Sequence, residues 1–327
     1  MARYNVFALG NPLTDLQVQV SDAFLAATGA PRGSVSLIDR DQYDILIPKL
    51  DGLAIHVAAG GSAANTASTL QLLSGRACYT GKIGPDPFGT GYRDSLLARG
   101  VQANLGVGEN PTGLCVILIT PDAQRTMFTY LGACRELSPA DVDLEALAES
   151  EYLYVTGYLW DTASQKETVL HAMRHARAQG VSVAMSLSDP FCVRRHRDDF
   201  RRIVDEHVDL LFGNQEEVEV FTGTTSAEEA LAAIAPYCHT AVVTMGAAGS
   251  LIAQGGEVHR IAAFPVTAVD STGAGDAYAA GLLYGLTHGY DLPTTGRLAS
   301  YLAAQVVAQL GPRLDQCDQA AVAALLA

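Results

Sequence analysis

Asp270-Ser271-Thr272-Gly273-Ala274-Gly275-Asp276, running on into Ala277-Tyr278-Ala279-Ala280-Gly281-Leu282-Leu283, is the stretch from which the fold reads most directly. The pattern predicts a strand ending near Val269, a tight glycine turn, and an apolar helix beginning near Ala274. A glycine-rich turn that opens a helix presents unbonded backbone N–H groups at the positive end of the helix dipole, and together these bind anions. Asp276 falls in the first turn of that helix. A carboxylate is a poor ligand for an anion, because like charges repel, but it suits a general base that takes a proton from an attacking hydroxyl. A second reading stays open from these residues alone, in which Asp276 complements the dipole and the glycines merely turn the chain. A dinucleotide-binding turn is excluded by spacing, since Tyr278 stands where the third glycine of Gly-x-Gly-x-x-Gly belongs.

Upstream, short apolar runs read as buried strands at 6–9, 114–119, 152–155, 181–185, 210–212 and 241–244. Helical patterns at 164–179, 200–206, 215–221 and 227–237 lie between the later ones, with further helices at 275–288 and 298–310. Strand–helix alternation of this kind predicts a mostly parallel sheet covered on both faces. Two stretches, about 16–51 and 103–133, behave differently. Leu16-Gln17-Val18-Gln19-Val20 alternates strictly and Thr126–Tyr130 more loosely, as strands with one wet face do. These segments are expected to form a small antiparallel sheet, a lid inserted into a single α/β domain spanning 1–327.

The 327 residues carry a formal net charge of −14, which argues against a nucleic-acid partner. Only Lys49, Lys82 and Lys166 are lysines, and none precedes Ser or Thr, so a Walker A phosphate loop is excluded. Six scattered cysteines lack any Cys-x-x-Cys pair and read as buried thiols of a reducing compartment. With no signal-peptide pattern and no apolar run long enough for a membrane helix, a cytoplasmic protein without a membrane partner is expected.

Three further segments carry chemistry. Gly60-Gly61-Ser62-Ala63-Ala64-Asn65 leads into a helix running to about Leu73. Its small residues allow close approach to the backbone, whether by a ligand or by a packed helix, and Asn65 offers a donor and an acceptor. Asn214-Gln215-Glu216-Glu217 has capping-box spacing. The other reading is a site in which Asn214 and Glu217 meet Mg²⁺ through its water shell. Thr244-Met245-Gly246-Ala247-Ala248-Gly249 follows a buried strand and could wrap nucleotide phosphates.

In this order the four segments resemble the ribokinase-like (PfkB) family of carbohydrate and nucleoside kinases, over nearly the whole chain. The resemblance implies a three-layer α/β/α fold with a small β-sheet lid. It implies Gly273, Ala274 and Gly275 as the anion hole and Asp276 as the catalytic base. It further implies Gly60, Gly61 and Asn65 at the acceptor, and Asn214, Thr244, Gly246 and Gly249 at the nucleotide. Glu217 is implied at Mg²⁺. Within the family the chain is similar to the adenosine kinase branch, whose opening matches Gly10-Asn11-Pro12-Leu13-Thr14-Asp15 and places Asn11 and Asp15 on the acceptor, Asp15 on ribose hydroxyls. Arg125 sits where relatives place an arginine near the phosphates, and Asp270 where a monovalent cation such as K⁺ is held.

The implied co-substrate is ATP, with a nucleoside as acceptor. The chain departs from the branch around Arg32-Gly33-Ser34-Val35, which lacks the glutamine that contacts the base. A sugar kinase acting on ribose, fructose or a keto-sugar acid is therefore the alternative, and a non-catalytic nucleoside or sugar sensor a further one. The family implies a monomer or a homodimer joined through the lid. Tyr158 or Trp160 is a candidate to stack on a base, with packing in the core or at its rim as the other reading.

Overall fold

The structure, a computed structural model, describes residues 2–122 and 124–327; Met1 and Ala123, the latter inside the expected lid segment, lie outside the described residues. In chain order the strands begin with β1 (Tyr4–Leu9), β2 (Leu13–Gln19), β3 (Val35–Leu37), β4 (Ile55–Ala59), β5 (Ala77–Ile83), β6 (Gln102–Val107) and β7 (Gly113–Ile119). They continue with β8 (Arg125–Tyr130), β9 (Ser150–Thr156), β10 (Ser182–Ser186), β11 (Leu210–Asn214), β12 (Thr240–Thr244), β13 (Ser250–Gln254) and β14 (Glu257–Ile261).

Nine strands make one sheet in the order β14-β13-β12-β11-β10-β9-β1-β5-β6. Only the β12–β13 and β13–β14 pairs are antiparallel. A parallel sheet buries both faces, so successive side chains enter different cores. Phe7 and Leu9 pack with Leu153, Met185 and the helices Ala163–Ala178 and Pro190–His207. Val6 and Ala8 pack on the opposite side with Tyr154, Phe212 and the helices Ser62–Leu72 and Ala274–Thr287. The result is the expected three-layer α/β/α arrangement.

From β1 the sheet grows one way through β5 and β6 and the other way through β9 to β12. The carboxyl end of β1 is thus a topological switch point, the place where open α/β sheets bind ligands. Gly10-Asn11 and Gly157-Tyr158 emerge there, and the Asn11 amide donates to the Tyr158 carbonyl at 3.2 Å.

The other five strands form a second sheet, β3-β8-β7-β2-β4, around a small core of Leu16, Val18, Leu114, Val116, Leu118 and Phe128. It differs from the expected lid in three ways. It is mixed, because β2–β7 and β3–β8 are parallel. Parallel pairing needs a long crossover, and the chain supplies one by passing through the main sheet between β2 and β7. It is drawn from 13–59 and 113–130, whereas Gln102–Val107, expected in the lid, is the edge strand of the main sheet. That strand follows β5 and the helix Pro87–Ala98 in a β-α-β unit, which sets it parallel beside β5. Finally, the polar face of β2 is wet only at its end, where Gln19 is exposed. Asp15 and Gln17 are each 8% exposed, because that face turns toward the main domain.

No strand forms before Val269. Pro265 removes a ladder donor, and the N–H groups of Val269 and Asp270 go instead to the Val307 carbonyl at the end of the helix Leu292–Val307. That helix starts earlier than expected, at a cap by Asp291. The helix expected at 200–206 is the second half of Pro190–His207, which is interrupted at His196. Among the described residues no helix is long and apolar enough to cross a membrane. All six cysteines are unpaired, and Cys78, Cys115, Cys134 and Cys192 are buried.

Candidate active site

Gly273 is the N-cap of the helix Ala274–Thr287, with φ +79° and no side-chain cap. A Cβ there would stand 2.3 Å from the Pro312 carbonyl oxygen, so both the backbone angle and the close approach require glycine. A Cβ at Gly275 would meet nothing within 4 Å, so the first turn opens onto free space. The N–H groups of such a turn have no partner within the helix. The arrangement can hold an anion.

Asp276 is oriented from the neighbouring helix. Ser62 donates its hydroxyl to Asp276 Oδ1 at 2.5 Å, and the Asn65 amide donates to Oδ2 at 2.8 Å. Burial pushes the Asp276 carboxyl up to about 6, while those two donors and the Arg313 guanidinium pull the other way. A carboxylate with such a pKa is ionised at neutral pH yet basic enough to accept a proton.

Asp15, on β2, faces the same region from the lid. Burial raises it to about 7 against the opposing pull of Arg313 and Arg125. The Gly60-Gly61 turn makes room for it, since a Cβ at Gly60 would lie 2.6 Å from Asp15 Oδ2. Gly61, at φ +85°, would clash with the Asn11 carbonyl if it bore a side chain. Asn11 itself is braced by Gln165, whose amide donates to Asn11 Oδ1 at 2.7 Å.

Arg125 reaches from β8 to the glycine turn, donating to Asp270 Oδ1 at 2.7 Å and to the Thr272 hydroxyl at 3.1 Å. Asp270 also accepts from Thr272 and from the Gly311 N–H. Burial would raise its carboxyl, but these donors outweigh it and hold it below the usual range.

Asn214 and Glu217 close a capping box at the start of the helix Gln215–Thr222. Burial lifts Glu217 to about 7, opposed by the Asn214 N–H and assisted by the charges of Asp189 and Asp276. Thr244 pairs with Asn214 across β11 and β12. Gly246 (φ +56°) and Gly249 (φ +89°) turn the hairpin from β12 into β13.

The fold therefore brings Asp276 together with Asn65, Arg125 with Asp270, and Asn214 with Glu217 and Thr244. Of the two aromatic candidates, Trp160 is core: it is 1% exposed, its indole donates to Asp199 at 2.9 Å, and its ring meets Phe200 edge-on. Tyr158, 36% exposed, lies at the switch point. Sequence reasoning missed Ser62, although it stands inside the quoted Gly60–Asn65 segment. It also missed Arg313, for which no local pattern gives a signal.

The pattern of the pfkB family carbohydrate kinases matches residues 36–318, and the chain belongs to that family. It is a phosphotransferase whose acceptor is an alcohol group, and ATP is the co-substrate that membership in the family implies. Among solved structures, the chain superimposes on a probable sugar kinase from Rhizobium etli with a TM-score of 0.91, 36% identity and 99% and 100% of the two chains covered. It superimposes on the adenosine kinase from Sinorhizobium meliloti with a TM-score of 0.89, 38% identity and 99% of each chain covered. The adenosine kinase of Saccharomyces cerevisiae is 29% identical over 325 residues, covering 93% of this chain and 95% of the relative.

Proposed function

We propose that this kinase transfers the γ-phosphoryl group of ATP to the primary hydroxyl of an adenosine-like nucleoside, with Asp276 as general base. The observation that carries the reading is the Asp276 carboxylate, fixed by Ser62 and Asn65 in the first turn of an uncapped helix. Asp15 and Asn65 hold the sugar hydroxyls within the wall formed by Asn11, Gly60 and Gly61. Asp276 takes the proton of the attacking hydroxyl. The backbone at Gly273, Ala274 and Gly275 meets the charge that spreads over the transferred phosphoryl oxygens. Arg125, Asn214, Thr244, Gly246 and Gly249 line the nucleotide side. The lid excludes water, which would otherwise compete as acceptor.

Mg²⁺ suits the oxygen-only chemistry of buried Glu217, which would meet the ion's water shell. When bound it neutralises charge on the β- and γ-phosphates. K⁺ at Asp270 fits less readily, because the Arg125 guanidinium already pairs with that carboxylate and supplies its countercharge. A cation there competes with Arg125 for the carboxylate's charge.

A sugar acceptor is the second reading. It is favoured by β3, where Val35 and Leu37 are exposed and no glutamine is present to read a base. An acceptor screen decides between them: ADP release is measured with Mg²⁺, with and without K⁺, against adenosine, other nucleosides, ribose, fructose and keto-sugar acids. The nucleoside reading expects adenosine to give the highest kcat/KM. Turnover with sugars alone refutes it, and absence of acceptor-dependent ADP release refutes both readings.

A further inference from the structure

We propose that Arg313 is a positioning residue that fixes the orientation of the Asn65 amide and, through it, the Asp276 carboxylate. The inference rests on the reading of Asp276 as general base and adds to it a residue outside the motifs on which the family resemblance was read.

Arg313 is buried, at 8% exposure, in the loop after the helix Leu292–Val307. Its Nε donates to Asn65 Oδ1 at 2.6 Å and its Nη2 donates to the Gly60 carbonyl at 2.7 Å. The guanidinium also lies over the Tyr92 ring, 5.9 Å from its centroid, and the Tyr92 hydroxyl donates to the same Gly60 carbonyl. One planar group thus spans two oxygens on the Ser62 helix and the turn before it, a task suited to the rigid fork of arginine.

An asparagine side chain has a donor end and an acceptor end of nearly equal shape. Asp276, when ionised, only accepts, so Asn65 must present Nδ2 to it. Arginine only donates, so whatever faces Arg313 must be Oδ1. The two demands agree, and Arg313 removes the flipped state in which Oδ1 would oppose the carboxylate. Without the arginine, nothing in this geometry distinguishes the amide's two ends except Asp276 itself.

The same guanidinium holds the Gly60 carbonyl, and Gly60 is the residue packed against Asp15. Arg313 therefore braces both walls of the acceptor site. The other titratable groups that feel Asp276 are Glu217, on the helix Gln215–Thr222, with Tyr154 and Tyr158 at the end of β9. None of them is a cation, so the positive charge near Asp276 comes from Arg313.

The test is a set of steady-state measurements on Arg313→Gln, Arg313→Lys, Asn65→Ala, Asp276→Asn and the Asn65→Ala/Arg313→Gln pair, with thermal unfolding of each. Arg313→Gln is expected to lower kcat by about 10- to 100-fold, the range of coupling between hydrogen-bonded neighbours, and to lower kcat more than it raises acceptor KM. Its acid limb in the kcat–pH profile moves to higher pH, because a positive charge beside the base is gone. Arg313→Lys keeps the charge but not the fork. It retains the wild-type acid limb with a reduced kcat. In the Asn65→Ala background, Arg313→Gln costs less than about threefold more.

Wild-type kcat in Arg313→Lys, an unmoved acid limb in Arg313→Gln, or full multiplication of the two single effects overturns the proposal. If Arg313→Gln does not fold, the Lys variant and Asn65→Ala decide: reduced kcat in both supports the proposal, and wild-type kcat in either refutes it. Turnover retained by Asp276→Asn overturns the base assignment instead, so the two failures are told apart.

Discussion

Replacing Asp276 by Asn tests the proposed chemistry and the energetics of the site in one variant. The substitution is nearly isosteric: an Asn oxygen accepts from Asn65 and its amide donates to the Ser62 hydroxyl, so both contacts survive in kind. What is lost is basicity. General-base catalysis contributes about 10²–10⁴-fold, so kcat should fall at least about a hundredfold, close to 2.7 kcal/mol of transition-state stabilisation. The wild-type acid limb near pH 6, set by the base itself, disappears.

Stability should move the other way. The Asp276 carboxyl rises from 3.8 in the unfolded chain to about 6 in the fold. Well below pH 3.8 it is neutral in both states and costs nothing. As pH climbs from 4 to 6 the unfolded chain ionises while the folded one resists, and stability is lost on the order of 2–3 kcal/mol. Asn does not titrate. Thermal unfolding of the variant should therefore come closest to wild type near pH 3 and exceed it at pH 7–8. Near-normal kcat, or an acid limb that persists in the variant, refutes the assignment; a stability gap that stays constant with pH refutes the electrostatic account.

Further variants probe the surroundings. Asp15→Asn should raise acceptor KM by about 10- to 100-fold with a smaller effect on kcat, the value of hydrogen bonds to a charged group. Wild-type KM for the acceptor should fall as pH rises through about 7, where Asp15 ionises, and a flat profile argues against its contact with hydroxyls. Gly273→Ala should lose about 1–2 kcal/mol from the left-handed backbone alone, plus the clash with Pro312, and depress kcat; full activity shows that the turn does not shape the anion site. Asn214→Ala opens the capping box and should cost about 0.5–2 kcal/mol in denaturant unfolding, and an unchanged midpoint excludes the cap as a support for that helix.

Short-range pattern carried most of the fold. The buried strands and the helices between them are encoded by apolar runs and turn residues, and β10, β11 and β12 appear close to where the sequence places them. Gln102–Val107 misled because an edge strand is half-exposed and alternates like a lid strand; its place is set by the crossover before it. The alternation of Leu16–Val20 was legible, but of its polar residues Gln19 is exposed while Gln17 is buried, because the main sheet's side of the molecule lies opposite it. In the site, glycine spacing located the helix opening, and the Asn214–Glu217 spacing yielded the capping box that forms. The Arg313–Asn65 contact joins residues 248 positions apart. Nothing periodic or local marks such a partner, since burial and an acceptor's position arise only in the folded chain.

The second sheet has no contiguous sequence of its own: its central pair sets Leu13 against Gly113. Closing a loop of that length costs roughly 4 kcal/mol in chain entropy, and the reward arrives only when both portions are present. Its core is a handful of aliphatic side chains and Phe128, far fewer than lie on either face of the main sheet. During folding this sheet is therefore expected to be a late arrival, assembled on a main sheet that already holds β1 and β5 in place. In hydrogen exchange the same imbalance predicts amides of β7 and β8 that open before those of β9 and β10. A cover built in this way yields before its foundation does, and under the proposed function that lets ligands enter and leave without loosening the sheet that aligns them.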